Sequence, residues 1–141
     1  MKKEVNILVL CTGNTCRSQM TEGFFRYYFP HWKIFSAGTK AEEKINPLAV
    51  EVMRERGIDI SSQVPEPVDK YLNRSFDIVL TVCDEANEIC PVFTGDVRYR
   101  LHRGFEDPAQ ATGTYDEKIR VYRRIRDEIE NFVKNFTNPI E

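Results

Sequence analysis

The chain has 141 residues, 41% hydrophobic and 30% charged, with a formal net charge of −2. That length is most simply one domain, 1–141, with enough apolar residue to bury a core. The charge balance gives no broad basic surface, which argues against a nucleic-acid partner, and no apolar run reaches the length of a membrane span.

Lys2-Lys3 and the apolar stretch after it mimic a secretion signal only faintly. Glu4 and Asn6 interrupt the stretch, and no small-residue cleavage site follows. A cytoplasmic location is expected, and four cysteines in a reducing compartment point to chemistry rather than structural disulfides. Residues 4–10, rich in Val, Ile and Leu, predict a buried strand. Cys11-Thr12-Gly13-Asn14-Thr15-Cys16-Arg17-Ser18 follows, with five residues between Cys11 and Arg17 and a helical pattern behind it. A tight loop opening a helix points backbone N–H groups at an anion, and the helix dipole adds to the attraction. Arg17 brings a planar fork that holds two oxyanion oxygens at once. The expected result is a Cys11 thiol of lowered pKa, a nucleophile at the floor of a cradle for a tetrahedral oxyanion. Residues 12–18 form the cradle. Ser18 can donate its hydroxyl to the thiolate or the leaving group, and Asn14 suits a loop position with positive φ. Cys16 reads as packing or as the seat of a side reaction.

Met20, Phe24, Tyr27 and Tyr28 continue at helical spacing up to Pro30. Residues 32–35 predict a second strand, closed by Ala37-Gly38. Asn46-Pro47 opens a helix that ends before Gly57, with Leu48, Val52 and Met53 or Arg56 facing inward. A short helix is expected at 68–72 and strands at 76–82 and 97–101. Over 114–136, Ile119, Tyr122, Ile125, Ile129, Phe132, Val133 and Phe136 recur as one face of a long amphipathic helix. Residues 137–141 read as a frayed tail. Strands alternating with helices predict an α/β fold of three layers, a four-stranded parallel sheet flanked by helices. In such sheets ligands bind beyond the carboxyl ends of strands, and Cys11, Cys83 and Asp107 each lie after a strand.

The segments Cys11 to Met20, Ser36-Ala37-Gly38, Cys83, Cys90-Pro91 and Gly104-Phe105-Glu106-Asp107-Pro108-Ala109 resemble, across nearly the whole chain, the low-molecular-weight protein tyrosine phosphatase superfamily. Within it they most resemble the thioredoxin-coupled arsenate reductases. The resemblance implies reduction of arsenate to arsenite with no cofactor. Cys11 would be the nucleophile, Arg17 would bind the oxyanion and Asp107 would act as general acid. Cys83 would attack the sulfur of a Cys11–arsenic adduct, and Cys90 would then take over the oxidation as a Cys83–Cys90 disulfide for thioredoxin to reduce. The two cysteines are seven positions apart, with Asp84, Glu85, Asn87 and Glu88 between them. A helical segment would hold them two turns apart, too far for a disulfide, so bonding requires the segment to loop. Some members of the family brace the anion loop with potassium. Asn14, Glu22 and Ser36 match that ligand set, and Glu66 stands in the place of an aspartate.

The alternative is a phosphatase acting on phosphotyrosine or a small phosphate ester, since arsenate and phosphate share shape and charge. Phosphatases of this fold usually carry tyrosines just after Asp-Pro. Here Ala109-Gln110-Ala111 follow, and the nearest tyrosine is Tyr115. A non-catalytic oxyanion- or phosphopeptide-binding module would need a disabled site, yet nucleophile, arginine and acid are all present. Zinc is disfavoured: there is no Cys-x-x-Cys, and His31 and His102 lack ligand spacing.

Overall fold

A computed structural model describes residues 4–84, 86, 88 and 90–140. Lys2, Lys3, Glu85, Asn87 and Glu141, which figure in the expectations above, lie outside the described residues. The elements run β1 (Asn6–Cys11), α1 (Arg17–Tyr28), β2 (Lys33–Gly38), α2 (Pro47–Arg54), a 3-10 turn (Val68–Tyr71), β3 (Phe76–Thr81), β4 (Val97–His102), a second 3-10 turn (Pro108–Gln110) and α3 (Tyr115–Lys134). All strand pairs are parallel and the sheet order is β2-β1-β3-β4. The architecture is the expected one, with ends moved by up to three residues.

Local chemistry fixes the helices. The Asn46 side chain accepts hydrogen bonds from the N–H groups of Leu48 (2.8 Å) and Ala49 (3.4 Å), and Pro47 fills the first helical position of α2. Thr114 and Glu117 form a reciprocal capping box at the start of α3. The inner face of α2 is Ala49, Val52 and Met53. Leu48 is half-buried and packs against the larger core, and of the Met53-or-Arg56 alternative Met53 turns inward while Arg56 is exposed, paired with Asp127 at 2.7 Å. A guanidinium beside a carboxylate on α3 gains more in water than it would in the core.

Pleating sorts β1 between two cores. Ile7, Val9 and Cys11 pack with residues of α1, α2 and α3. Leu8 and Leu10 pack on the other side with Ala37, Val79, Tyr71 and Phe93, so that face is covered by the first 3-10 turn and by Phe93 rather than by a long helix. Phe136 stacks edge-on against Phe25, Phe29 and Trp32, and Ile140 packs against the larger core. Within the stretch after Phe136, Ile140 is therefore held by apolar contact where fraying was expected.

The sheet order sets the site. β1 lies beside β3, with Leu10 opposite Thr81, and the Val82 N–H donates to the Leu10 carbonyl at 3.1 Å. Cys11 and Cys83 therefore leave adjacent strands at the same end, and both belong to the larger core.

Candidate active site

Residues 11–18 curl from the end of β1 into α1 along one wall of an open cleft of about 1290 Å³. The loop is held from behind. The Thr12, Gly13 and Thr15 carbonyls accept from the N–H groups of Lys40 (3.0 Å), Glu42 (3.1 Å) and Asn46 (2.9 Å). Asn14 takes φ 57°, as its side-chain chemistry allows. Its amide donates to Ser18 Oγ at 2.8 Å and Ser36 Oγ at 3.0 Å, and its Oδ1 accepts from the Glu66 N–H at 2.8 Å. Gly38 passes so close that a Cβ there would lie 2.3 Å from the Thr12 carbonyl oxygen. A side chain at this position would displace the loop.

Arg17 is the hub of the cleft. Its guanidinium donates to the Phe105 carbonyl at 3.1 Å and pairs with Asp107 Oδ2 at 3.6 Å. Asp107 is aimed by its own turn, since Oδ1 accepts from the Ala109 N–H at 3.0 Å and Pro108 fixes the backbone behind it. Cys11 and Arg17, at the end of β1, and Asp107, beyond the end of β4, thus line one cleft.

The sequence reading missed the strongest contact. Glu88 grips Arg17 with both carboxylate oxygens: Oε1 lies 3.0 Å from NH2, and Oε2 accepts from NH1. The Thr12 hydroxyl donates to Oε1 at 3.4 Å, and the Asp84 N–H donates to Oε2 at 2.9 Å. No local pattern around Glu88 marks it. Its partner is 71 positions away.

This neighbourhood reverses the expected acidity of Cys11. Burial raises the thiol pKa above its ordinary value, and Glu88 and Asp107 add to the rise. Arg17 and the Thr12 N–H oppose it without prevailing. Burial likewise pushes Cys16 up, consistent with a packing role. Burial also works to raise Glu88, yet its bonds to Arg17 and the Asp84 N–H outweigh this and hold the carboxyl below the usual range.

Cys83 and Cys90 are joined as a disulfide with Cα atoms 5.7 Å apart, about half the rise of two helical turns. Cys11 and Cys16 are free thiols. His102 stands beside the pair, with ligand atoms of all three residues within 4.8 Å. The sulfurs are bonded to each other, so the group offers no thiolate pair to a metal. His102 Nδ1 lies 2.7 Å from Thr81 Oγ1.

The residues suggested for potassium do not fit it. Glu22 Oε2 is taken by the Arg26 guanidinium (2.9 and 2.6 Å), and Oε1 accepts from the Ser36 hydroxyl at 2.5 Å. Asn14 Oδ1 faces a backbone N–H, and Glu66 pairs with Lys70 at 3.1 Å. Protein donors already meet both Glu22 oxygens, Asn14 Oδ1 and Glu66 Oε2, and Arg26 supplies the positive charge.

Fold and cleft together define a cysteine-and-arginine oxyanion enzyme. The chain belongs to the low molecular weight phosphotyrosine protein phosphatase family, whose profile matches residues 6–141. It is 47% identical over 137 residues to an arsenate reductase of Halalkalibacterium halodurans, covering 96% of each chain. An arsenate reductase from Archaeoglobus fulgidus shares the fold with TM-score 0.71 at 32% identity, over 91% of this chain and 95% of that one. A structure described as an arsenate reductase in the phosphate binding state superposes with TM-score 0.76 at 26% identity, over 93% and 95% of the two chains.

Proposed function

We propose that this protein reduces arsenate to arsenite through a relay of three cysteines. The observation that carries the reading is the Cys83–Cys90 disulfide at the end of β3, beside the strand that ends in Cys11.

Arsenate binds over residues 12–18 with two oxygens on the Arg17 fork. The Cys11 thiolate attacks arsenic, and Asp107 gives a proton to the departing oxygen, which leaves as water. Cys83 then attacks Cys11 Sγ. The sulfur–arsenic bond breaks with its electron pair kept by arsenic, so arsenic(V) becomes arsenic(III) and a Cys11–Cys83 disulfide forms. Cys90 attacks Cys83, Cys11 returns as thiolate, and the Cys83–Cys90 disulfide remains. A dithiol protein of the thioredoxin type reduces that bond and takes up both oxidising equivalents. Two free cysteines alongside such a cycle suit a reducing, cytoplasmic setting.

The same cradle admits phosphate, so slow phosphate-ester hydrolysis accompanies this reading. A phosphotyrosine specialist is disfavoured by Tyr115, whose hydroxyl is bonded to Glu51 of α2 rather than set beside the cleft. The Cys90→Ser variant tests the order of events. One turnover with arsenate leaves a Cys11–Cys83 disulfide if the relay holds, and free thiols at both positions if it does not.

A further inference from the structure

We propose that Glu88 is an internal stand-in for the substrate anion: closing the Cys83–Cys90 disulfide sets its carboxylate on Arg17, and an oxyanion regains the cradle only once that bond is cut. This deepens the relay reading and rests on it.

The contacts have the character of ligand recognition. The Arg17 fork and the Thr12 hydroxyl of the loop converge on one carboxylate, as they would on two oxygens of a tetrahedral anion, and the Asp84 N–H beyond β3 holds it there. Arg17 is nearly buried, and among the described residues its guanidinium also meets the Phe105 carbonyl and Asp107. Two anions on one face of a single fork would repel at close range. Substrate and Glu88 therefore exclude each other.

The disulfide supplies the tether. Glu88 is five residues from Cys83 and two from Cys90. With those ends 5.7 Å apart, its backbone N–H donates to the Asp84 carbonyl at 2.9 Å, which turns the carboxylate back over residues 12–17. Reduction removes that constraint, and the high effective concentration of the carboxylate goes with it. The consequence for Cys11 is consistent: Glu88 is among the groups that raise its pKa, so the oxidised protein holds a quiescent nucleophile as well as a filled cradle. Because the exclusion is mutual, linkage requires the converse. Anion binding must favour the reduced protein by the factor that reduction favours anion binding.

Inorganic phosphate is the probe, since it does not oxidise thiols. It is titrated calorimetrically into oxidised protein, whose disulfide is located by peptide mapping, and into protein kept reduced by a phosphine. If Glu88 fills the cradle nine-tenths of the time, the oxidised form binds phosphate about tenfold more weakly. In Glu88→Gln and Glu88→Ala the two states should agree within about threefold, because the competing charge is gone. In a dithiol redox buffer, saturating phosphate should shift wild type toward the reduced form by the same factor and leave Glu88→Gln unmoved. Equal phosphate affinity in the two wild-type states overturns the proposal, as does a gap that survives in both variants. If mapping finds no Cys83–Cys90 bond after oxidation, the relay and the Glu88 role fall together. A bond present with unchanged phosphate affinity removes only the latter.

Discussion

The Glu88 carboxylate and the Arg17 guanidinium, 71 positions apart in sequence, form a two-point ion pair across the mouth of the anion loop. It connects the loop after β1 to the cysteine pair after β3. It bears on the reactivity of Cys11, whose acidity burial sets first, on the acid stability of the oxidised protein and on the fate of a bound anion.

The first is thiol reactivity. Burial, reinforced by Glu88 and Asp107, raises the Cys11 pKa in the disulfide form. At pH 7 the group is then mostly thiol, and the thiolate fraction grows as pH rises toward and past the ordinary value of 9.0. Iodoacetamide should label Cys11 slowly at pH 7 in the oxidised protein and several-fold faster in Glu88→Gln. Equal rates by mass spectrometry would contradict the assigned cause.

The second is acid stability. The Glu88 carboxyl is held below its ordinary range, so its contribution to folding is fully present above the unfolded carboxyl pKa and is lost as pH falls through the lower folded value. Oxidised wild type should exceed Glu88→Gln in stability by about 1–3 kcal/mol at pH 7, because the variant leaves Arg17 poorly compensated. The gap should close on acidification below about pH 4. Thermal melts across pH 3–7 measure it.

Much of this architecture was legible in the sequence, and the unread part has a physical reason. Residues 11–18 and Asn46-Pro47 carry their meaning within a few positions, because loop curvature and helix starts are local. Asn14 was readable as a positive-φ residue for the same reason. Glu88 and His102 were not, since each acquires its setting only when β3 and β4 dock and the cysteines close. The acidity of Cys11 was misjudged from charge alone, because burial depth and a carboxylate arriving from a distant loop are tertiary facts. The potassium ligands matched by residue type, but only coordinates show that Arg26 holds Glu22.

Arg26 also yields a prediction. With its guanidinium on Glu22 and the other oxygens turned to protein donors, replacing potassium by sodium at constant ionic strength should change arsenate turnover less than about twofold. A large activation specific to potassium would show that the region rearranges to bind the ion.

Gly38 tests the back wall of the loop. A Cβ placed 2.3 Å from the Thr12 carbonyl oxygen must push β2 and the anion loop apart. Gly38→Ala should therefore lower stability by about 1–3 kcal/mol and weaken phosphate binding by the reduced protein. Unchanged calorimetric affinity would mean that the loop yields without losing its shape.

The roles of the cysteines separate by substrate. Cys83→Ser and Cys90→Ser should retain ester hydrolysis and lose repeated turnover with arsenate, while Cys11→Ser should lose both. Arg17→Lys keeps the charge but not the fork, and should cost about a hundredfold or more in kcat/KM for either anion.

The most direct measurement is disulfide mapping after a single turnover. Fully reduced wild-type protein is mixed with one equivalent of arsenate, free thiols are blocked, and the peptides are resolved by mass. The relay predicts one equivalent of arsenite, a Cys83–Cys90 bond, and Cys11 recovered as a blocked thiol. Arsenite formed with Cys83 and Cys90 both blocked, or no arsenite at all while a phosphate ester is still cleaved, would contradict it.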